Sequence, residues 1–583
     1  MTSMNEQMPP ASAAAGVAGV AAREAVAPKR ARRRYSADLS ALGEPALWGF
    51  GGALALGIIM IAVFLMVVLY NGATTFWPKP IDRVELTDGT VIAGTERRGT
   101  IFRPQLGPLD DATRAIVEEN DGFAFRTLYQ TANFDLYGDD FRWVADYEVE
   151  NVTQPEDFYY FERQVWGVFI GRIAGMQIAG QPMEYDAAVF RREQAAARER
   201  FREIRRIERN EIGRINHYIE RERLAQRRAV LRQGEEAAAS AIATSQARIA
   251  ELQAEFQVLQ ARVNEIRELD RGYRVTLEEV GGRTVEPEIS QIVRFFPANT
   301  IGFTDKLGIY VSRWWEFVSA EPREANTQGG VLPAIFGTVA MTLLMVVFVA
   351  PFGVITALYL REYAKQGRIT SMVRISVNNL AGVPSIVYGV FGLGFFAYAM
   401  GGTIDQLFYP EALPNPTFGK GGILWASLTL ALLTVPVVIV ATEEALSAVP
   451  RSMREGSLAC GASKWQTIRY VVLPKALPGI MTGMILAMAR GAGEVAPLML
   501  VGVVKLAPAL PIDGFAPFIH LDRSFMHLGF HIFDVGFQSR NSEAGKPMVF
   551  VTTLLLLALI VVMNATAIIV RNRLKRKYAT GQF

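Results

Sequence analysis

Six runs of apolar residues divide this chain, and the polar stretches between them are very unequal in length. A helix needs roughly 20 mostly apolar residues to cross the hydrocarbon core of a bilayer, and each run meets that length: 47–70, 331–360, 377–400, 422–441, 477–504 and 547–570. The first run is too long for the apolar core of a signal peptide and no small-residue cleavage site follows it, so it reads as a retained anchor. The long interval 71–330 is patterned differently. Its first part, 81–181, alternates apolar and polar residues in places, as in Phe123-Ala-Phe-Arg-Thr-Leu128 and Trp143-Val-Ala-Asp-Tyr-Glu-Val149, which predicts short strands. From about 185 to 270 the chain turns to Ala, Glu, Arg and Gln. There Ile249, Leu252, Phe256, Leu259, Val263 and Ile266 recur at three- and four-residue spacing, a heptad seam. A less regular stripe, Phe201, Ile204, Ile207, Ile212, Ile215 and Ile219, suits a partner helix if the chain reverses at Gln233-Gly234; the alternative is one long helix pairing with another subunit. Segments 273–280 and 284–296, joined at Gly281-Gly282, predict a β-hairpin that completes the strand layer around this inserted helical arm.

Charge orients the spans. Lys and Arg cluster before the first run (Arg23, Lys29, Arg30, Arg32, Arg33, Arg34), in 361–374, in the loop between the fourth and fifth runs, and in 571–577. The positive-inside rule puts these four regions in the cytoplasm, with both termini, and puts 71–330 outside with 401–421 and 505–546. A net charge of +3 and the lack of a compact basic and aromatic motif give no reason to expect nucleic-acid binding. The single cysteine, Cys460, excludes an intramolecular disulfide. No catalytic constellation stands out. His217 falls in the charged arm and reads as a solvated residue. His520, His527 and His531 lie close together in an outside loop without the ligand set of a metal site. The phosphate-cradling G-x-x-x-x-G-K-[ST] is absent, so ATP is not bound here by that motif.

The loop before the fifth run carries the most specific signal. In Glu455-Gly-Ser-Leu-Ala-Cys-Gly461 the residues 450–460 can form a short helix, Gly461 permits a turn that a side chain would hinder, and 463–472 can form a second helix whose end Pro474 restricts. The spacing from Glu455 through Gly461 to Val471-Val472-Leu473-Pro474 resembles the EAA loop of ATP-binding-cassette importer permeases, with Gly456-Ser457 in place of the two alanines. Pro351-Phe-Gly-Val354, Tyr359-Leu-Arg-Glu-Tyr363, Asn379-Leu-Ala-Gly-Val-Pro-Ser-Ile-Val-Tyr-Gly389 and Thr442-Glu-Glu-Ala-Leu446 resemble phosphate-uptake permeases. Leu477-Pro-Gly-Ile480 and Ala489-Arg-Gly-Ala-Gly-Glu-Val-Ala-Pro-Leu498 are similar to the PstA-type subunit, although Val495 stands where that family more often has threonine.

The resemblance covers 332–504 and implies an α-helical polytopic membrane protein with the type I importer permease fold. To this the chain adds an α+β periplasmic domain carrying a coiled-coil hairpin. The expected organisation is a cytoplasmic tail (1–46), first span (47–70), periplasmic domain (71–330, arm 185–270), permease core (331–570, coupling loop 443–475) and cytoplasmic tail (571–583). The implied location is the bacterial inner membrane. The implied partners are a PstC-type sister permease, a PstB-type ATPase dimer that holds ATP and Mg, and a PstS-type periplasmic protein that delivers phosphate. This chain then needs no cofactor and is not an enzyme. Glu455, Gly461, Leu473 and Pro474 are expected to couple to the ATPase. Arg490 and Glu494, one helical turn apart near the middle of the fifth run, are the expected phosphate pathway, since an arginine there costs roughly 2.5 to 3.5 kcal/mol to insert and is retained for a use. A sealed ion pair is the alternative role for these two. A permease for another oxyanion and a membrane-anchored coiled-coil sensor are the alternative functions.

Overall fold

A computed structural model describes residues 45–105, 111–539 and 542–579; the basic cluster at Arg23 to Arg34 and residues 580–583 lie outside them. The chain divides into a unit ending at Phe64 and a second running from Leu65. The described part of the first unit is apolar helix, the beginning of Pro45–Thr74, with large side chains such as Trp48 and Phe64 exposed.

Among the described residues six helices are long and apolar enough to cross a membrane: Trp48–Thr74, Leu332–Tyr363, Ser385–Phe408, Ile423–Ser447, Lys464–Gly493 and Glu543–Arg576. Ile423–Ser447 is the most buried of them. It packs Leu430, Leu433 and Val438 against Met341, Met345 and Val349 of the second span and Ala487 of the fifth. Small residues permit the fourth and fifth spans to touch. A Cβ on Gly479 or Gly483 would come within 2.5 and 2.4 Å of the side chains of Ala445 and Ala441, so the contact depends on residues without bulk at every fourth position.

Two spans depart from the hydrophobic pattern. The third begins at Ser385 rather than 377, because Pro384 separates it from an amphipathic helix, Arg368–Leu380, that exposes Ile369, Met372 and Ile375; the residue before a proline is pushed out of the helical region. The fifth does not begin after a break at Pro474. Lys464–Thr467, the π-helical Ile468–Val472 and Leu473–Gly493 are continuous. The wider π turn accommodates the proline, whose missing N–H would interrupt a regular ladder. At its other end this span stops at Gly493, not 504. Glu494 is extended, and only a short helix, Leu498–Val501, follows.

The region between the first two spans is α+β. The strands of its two main sheets, in chain order, are β1 (Asp82–Leu86), β2 (Val91–Phe102), β3 (Ala124–Gln130), β4 (Phe141–Ala145), β5 (Val149–Thr153), β6 (Tyr159–Arg163), β7 (Val168–Ile178), β8 (Gln181–Met183), β9 (Arg274–Glu278), β10 (Thr284–Val285) and β11 (Ile292–Pro297). One sheet runs β4-β3-β2-β1-β5 and another β10-β9-β7-β6-β11, with β8 on β7. The hairpin expected at Gly281-Gly282 is short: only Thr284 and Val285 form a strand on β9, a lone bridge between Arg274 and Glu288 follows, and the chain then crosses to β6 as β11. Pro287 has no N–H to give to a ladder, although its carbonyl still accepts from the Val275 N–H at 3.1 Å.

The arm leaves β8 at Asp186, whose carboxylate accepts from the N–H groups of Ala188 and Val189. It rises through Ala187–Arg206, a π-helical turn (Ile207–Ile212) and Gly213–Gln233, reverses at Gly234 (φ +82°), and returns as Ala239–Arg271. Ile204, Ile207 and Ile212 pack with Val263 and Ile266, and Ile215 and Ile219 with Leu252, so the seam closes within one chain. His217 departs from the solvated position expected of it: its ring is half-buried, stacked 4.4 Å from that of Phe515. Arg228 pairs with the buried Glu411. The arm therefore rests on the loops that join the third to the fourth span and the fifth to the sixth.

Candidate functional site

At one end of the fifth span two short helices meet. Arg451–Ala459 closes on Gly461, which has φ +84° and donates its N–H to the Leu458 carbonyl at 3.0 Å. Ser463 then caps Lys464–Thr467, accepting from the Gln466 N–H while the Gln466 side chain accepts from the Ser463 N–H. Such a reciprocal cap satisfies two donors that a helix start otherwise leaves open. The Ser457 and Thr467 hydroxyls, 2.9 Å apart, tie the two helices together. Glu455, Leu458, Cys460, Trp465 and Tyr470 are exposed, an apolar and charged face open to a partner. Leu473 and Pro474 are half-buried where the π turn passes into the span.

The turn is held to the end of the second span by a residue to which the pattern had assigned no part. Glu362 accepts from Arg454 Nη1 at 2.6 Å, and its backbone carbonyl accepts from Lys464 Nζ. Lys464 also lies 4.8 Å from the centre of the Tyr363 ring. The available signal was one acid, Glu362, among Arg361, Lys365 and Arg368.

Arg490 and Glu494 lie at the opposite end of the same helix, not near its middle. Arg490 is in its last turn and Glu494 ends it, with Arg490 Nε 3.6 Å from Glu494 Oε1. That separation is an ion pair rather than a hydrogen bond. With 38% of its side chain exposed, Arg490 is not sealed within this chain. Just beyond, Val495 abuts Gly529, where a Cβ would come within 2.6 Å of it. The third span approaches here as well: Gly389 lies so close to Pro497 that a Cβ would come within 2.8 Å of its backbone.

The three histidines of the following loop are not gathered. His520 bonds Asp513 at 2.9 Å. Burial pushes the Asp513 carboxyl up, but the Phe515 N–H, His520 and Arg523 outweigh it and hold the group down to about 2. His527 and His531 are buried elsewhere, and burial pushes each down to about 4. Among the described residues no three His, Cys, Asp or Glu side chains form a group suited to a metal ion.

The family model described as binding-protein-dependent transport system inner membrane component matches residues 349–576. The chain is similar to a probable ABC transporter permease protein, YqgH, of Bacillus subtilis (strain 168), 34% identical over 33% of this chain and 59% of that protein. It is also similar to the phosphate transport system permease protein PstA 1 of Mycobacterium tuberculosis (strain ATCC 25618 / H37Rv), 38% identical over 33% of this chain and 56% of that one. The chain thus spans a little over half the length of these relatives. Among solved structures, an inward-facing MetNI methionine ABC transporter is 19% identical over 42% of this chain and 95% of that chain, with a TM-score of 0.30. A bacterial ABC transporter for the import of alginate is 16% identical over 46% and 89%, with a TM-score of 0.32.

Proposed function

We propose that this chain, whose residues 349–576 match the family model of binding-protein-dependent transport inner-membrane components, is the permease subunit of an ATP-driven importer and that its cargo is inorganic phosphate. The observation that carries the reading is the single 30-residue helix Lys464–Gly493, about 45 Å long at 1.5 Å per residue, with the Gly461 turn at one end and Arg490 at the other. A helix of that length transmits displacement without bending freely. In this reading the exposed face around Glu455, Leu458 and Trp465 docks a PstB-type ATPase on the cytoplasmic side. Closure of the ATPase pair, which holds ATP and Mg, pushes the two short helices and shifts the span against the fourth, along the small-residue contact at Gly479 and Gly483. The same shift moves Arg490 relative to a PstC-type sister permease.

Phosphate enters the reading through Arg490. A guanidinium offers a planar fork of donors to a tetrahedral oxyanion, and the Glu494 carboxylate, held at 3.6 Å rather than in a full bidentate pair, leaves that fork available. The relatives described as phosphate permeases support the same cargo. The α+β region and its arm are then periplasmic, on the side from which a PstS-type binding protein delivers its load, and the protein resides in the bacterial inner membrane. The test is reconstitution of the chain with its candidate ATPase, sister permease and binding protein in proteoliposomes. Phosphate-loaded binding protein should stimulate ATP hydrolysis and drive uptake of radiolabelled phosphate but not sulfate. Sulfate uptake at equal rate would assign another cargo, and ATP hydrolysis indifferent to binding protein would remove the importer reading.

A further inference from the structure

A second cationic site lies apart from the fifth span. Between the sheets, the helix Phe303–Ser319 and the ends of the first and sixth spans is a cavity of about 670 Å³. Arg97 reaches it because β2 is irregular there: pairing with β3 goes from Glu96–Tyr129 directly to Arg98–Leu128, and Arg97 is the extra residue. Such a bulge re-aims the side chain it carries. Arg97 donates from Nε to Gln130 Oε1 at 3.0 Å and has the Tyr160 hydroxyl as its other neighbour; among the described residues no carboxylate pairs with it. Lys79 is similar, bonding the backbone carbonyl of Glu96 at 2.9 Å. Burial lowers the pKa of both groups from their ordinary values, and the charge of Arg97 adds to the shift at Lys79 as that of Arg313 does at Arg97.

The rest of the lining does not cancel this charge. Arg294, Arg313 and Arg323 share two carboxylates, Glu162 and Glu316. Asp140 and Glu324 also line the cavity, but neither pairs with Arg97 or Lys79, and burial followed by Asp139 and Glu324 raises Asp140 to about 6. One polar group is plainly unused. Thr95 lines the cavity, is 2% exposed, and its Oγ1 has no hydrogen-bond partner. A buried hydroxyl left unpaired costs about 1 to 3 kcal/mol, and a buried unpaired guanidinium costs more.

We propose that this cavity binds a phosphate group, with Arg97 and Lys79 as its cations and Thr95 Oγ1 as a donor. A phosphate accepts from all three at once, and a bond between two opposite charges is stronger than the one Arg97 now makes to the uncharged Gln130 amide. The volume exceeds what the bare anion fills, so the group can be inorganic phosphate with water or the headgroup of a lipid entering where Thr75 and Phe76 face Pro547 and Met548. This inference does not rest on the transported cargo.

The experiment uses the full chain carrying Arg490→Gln, so that the proposed pathway contributes nothing. Delipidated protein in detergent is titrated with inorganic phosphate by calorimetry. The same protein in nanodiscs with phosphatidylglycerol is examined by native mass spectrometry for retained lipid. Binding in the first arm identifies free phosphate, and selective retention in the second identifies a headgroup; either is expected to weaken at least tenfold in Arg97→Gln. Thr95→Val, nearly isosteric and so a safe test of fold, should weaken it severalfold, and Arg97→Lys should restore part of what Arg97→Gln loses. Absence of binding in both arms overturns the proposal, as does binding indifferent to Arg97→Gln and Thr95→Val.

Discussion

In the proposed function Arg490 and Gly461 act for different reasons, and their substitutions should fail differently. Arg490 needs its charge at one place in the structure: Arg490→Gln should lower phosphate uptake at least a hundredfold with the complex still assembled. Arg490→Lys should keep part of it, since lysine retains the charge and loses the fork. Exchanging the pair, Arg490→Glu with Glu494→Arg, separates pathway from ion pair, because it preserves the pair and moves the cation; uptake should stay absent, and uptake at the parent level would leave Arg490 a structural partner of Glu494. Gly461 needs only its backbone. A Cβ there meets nothing within 4 Å, so the cost of Gly461→Val is purely that of a left-handed conformation, about 1 to 2 kcal/mol for an ordinary residue and more for a branched one. Co-purification of the ATPase should fall with Gly461→Val and largely survive Gly461→Asn, while membrane insertion is unchanged in both. The pattern identified this glycine from its place between two helix-forming stretches. Glu362 stands within the Tyr359–Tyr363 motif without a role of its own there, because its part depends on Arg454 and Lys464, about a hundred residues away in the chain.

The arm's internal pairing is written in its local pattern, and its seat on the rest of the fold is not. Its heptad seam and the reversal at Gly234 follow from apolar spacing and a glycine, both visible locally. Its seat on Phe515 and Glu411 is not, because stacking and ion pairing across the fold leave no periodic trace. Leu252→Ala removes a buried side chain from the middle of the seam and should destabilise the arm by about 2 to 4 kcal/mol. Hydrogen exchange is the measurement: protection should fall in 239–271 and also in 505–525, since the loop loses the surface on which it is packed. Faster exchange confined to the arm would mean that the loop holds its shape unaided.

At the scale of the whole molecule, the buried histidines set a pH dependence. His527 and His531 ordinarily titrate near 6.5 and are held to about 4 by burial, with Asp534 opposing the shift at His531 and Lys505 adding to it. Above pH 6.5 both folded and unfolded forms are neutral and no stability is lost. Below it the unfolded chain takes up protons that the folded one refuses, so stability falls by about 1.4 kcal/mol per pH unit for each histidine until pH approaches 4. Scanning fluorimetry at a fixed heating rate should show the transition moving down between pH 6.5 and 5. His527→Gln should flatten that slope by roughly half, and an unaltered slope would mean that the two rings are hydrated.

The sequence by itself determined which stretches can enter a membrane, where two short helices turn on a glycine, and that a heptad seam interrupts a strand-rich region. Each of these is a property of neighbouring residues: hydrophobic length, backbone freedom and periodicity act within a turn or two. Tertiary structure decided the rest. Pro384 starts a span while Pro474 passes through one, because a π turn precedes the second and not the first. Arg490 and Glu494 sit at a helix end because Glu494 is extended where the apolar run continues. Arg97, unremarkable among many arginines in the chain, is left without a carboxylate only when β2 bulges and the sheets close over it. Charge compensation is a sum over all neighbours in space, and no stretch of sequence contains that sum.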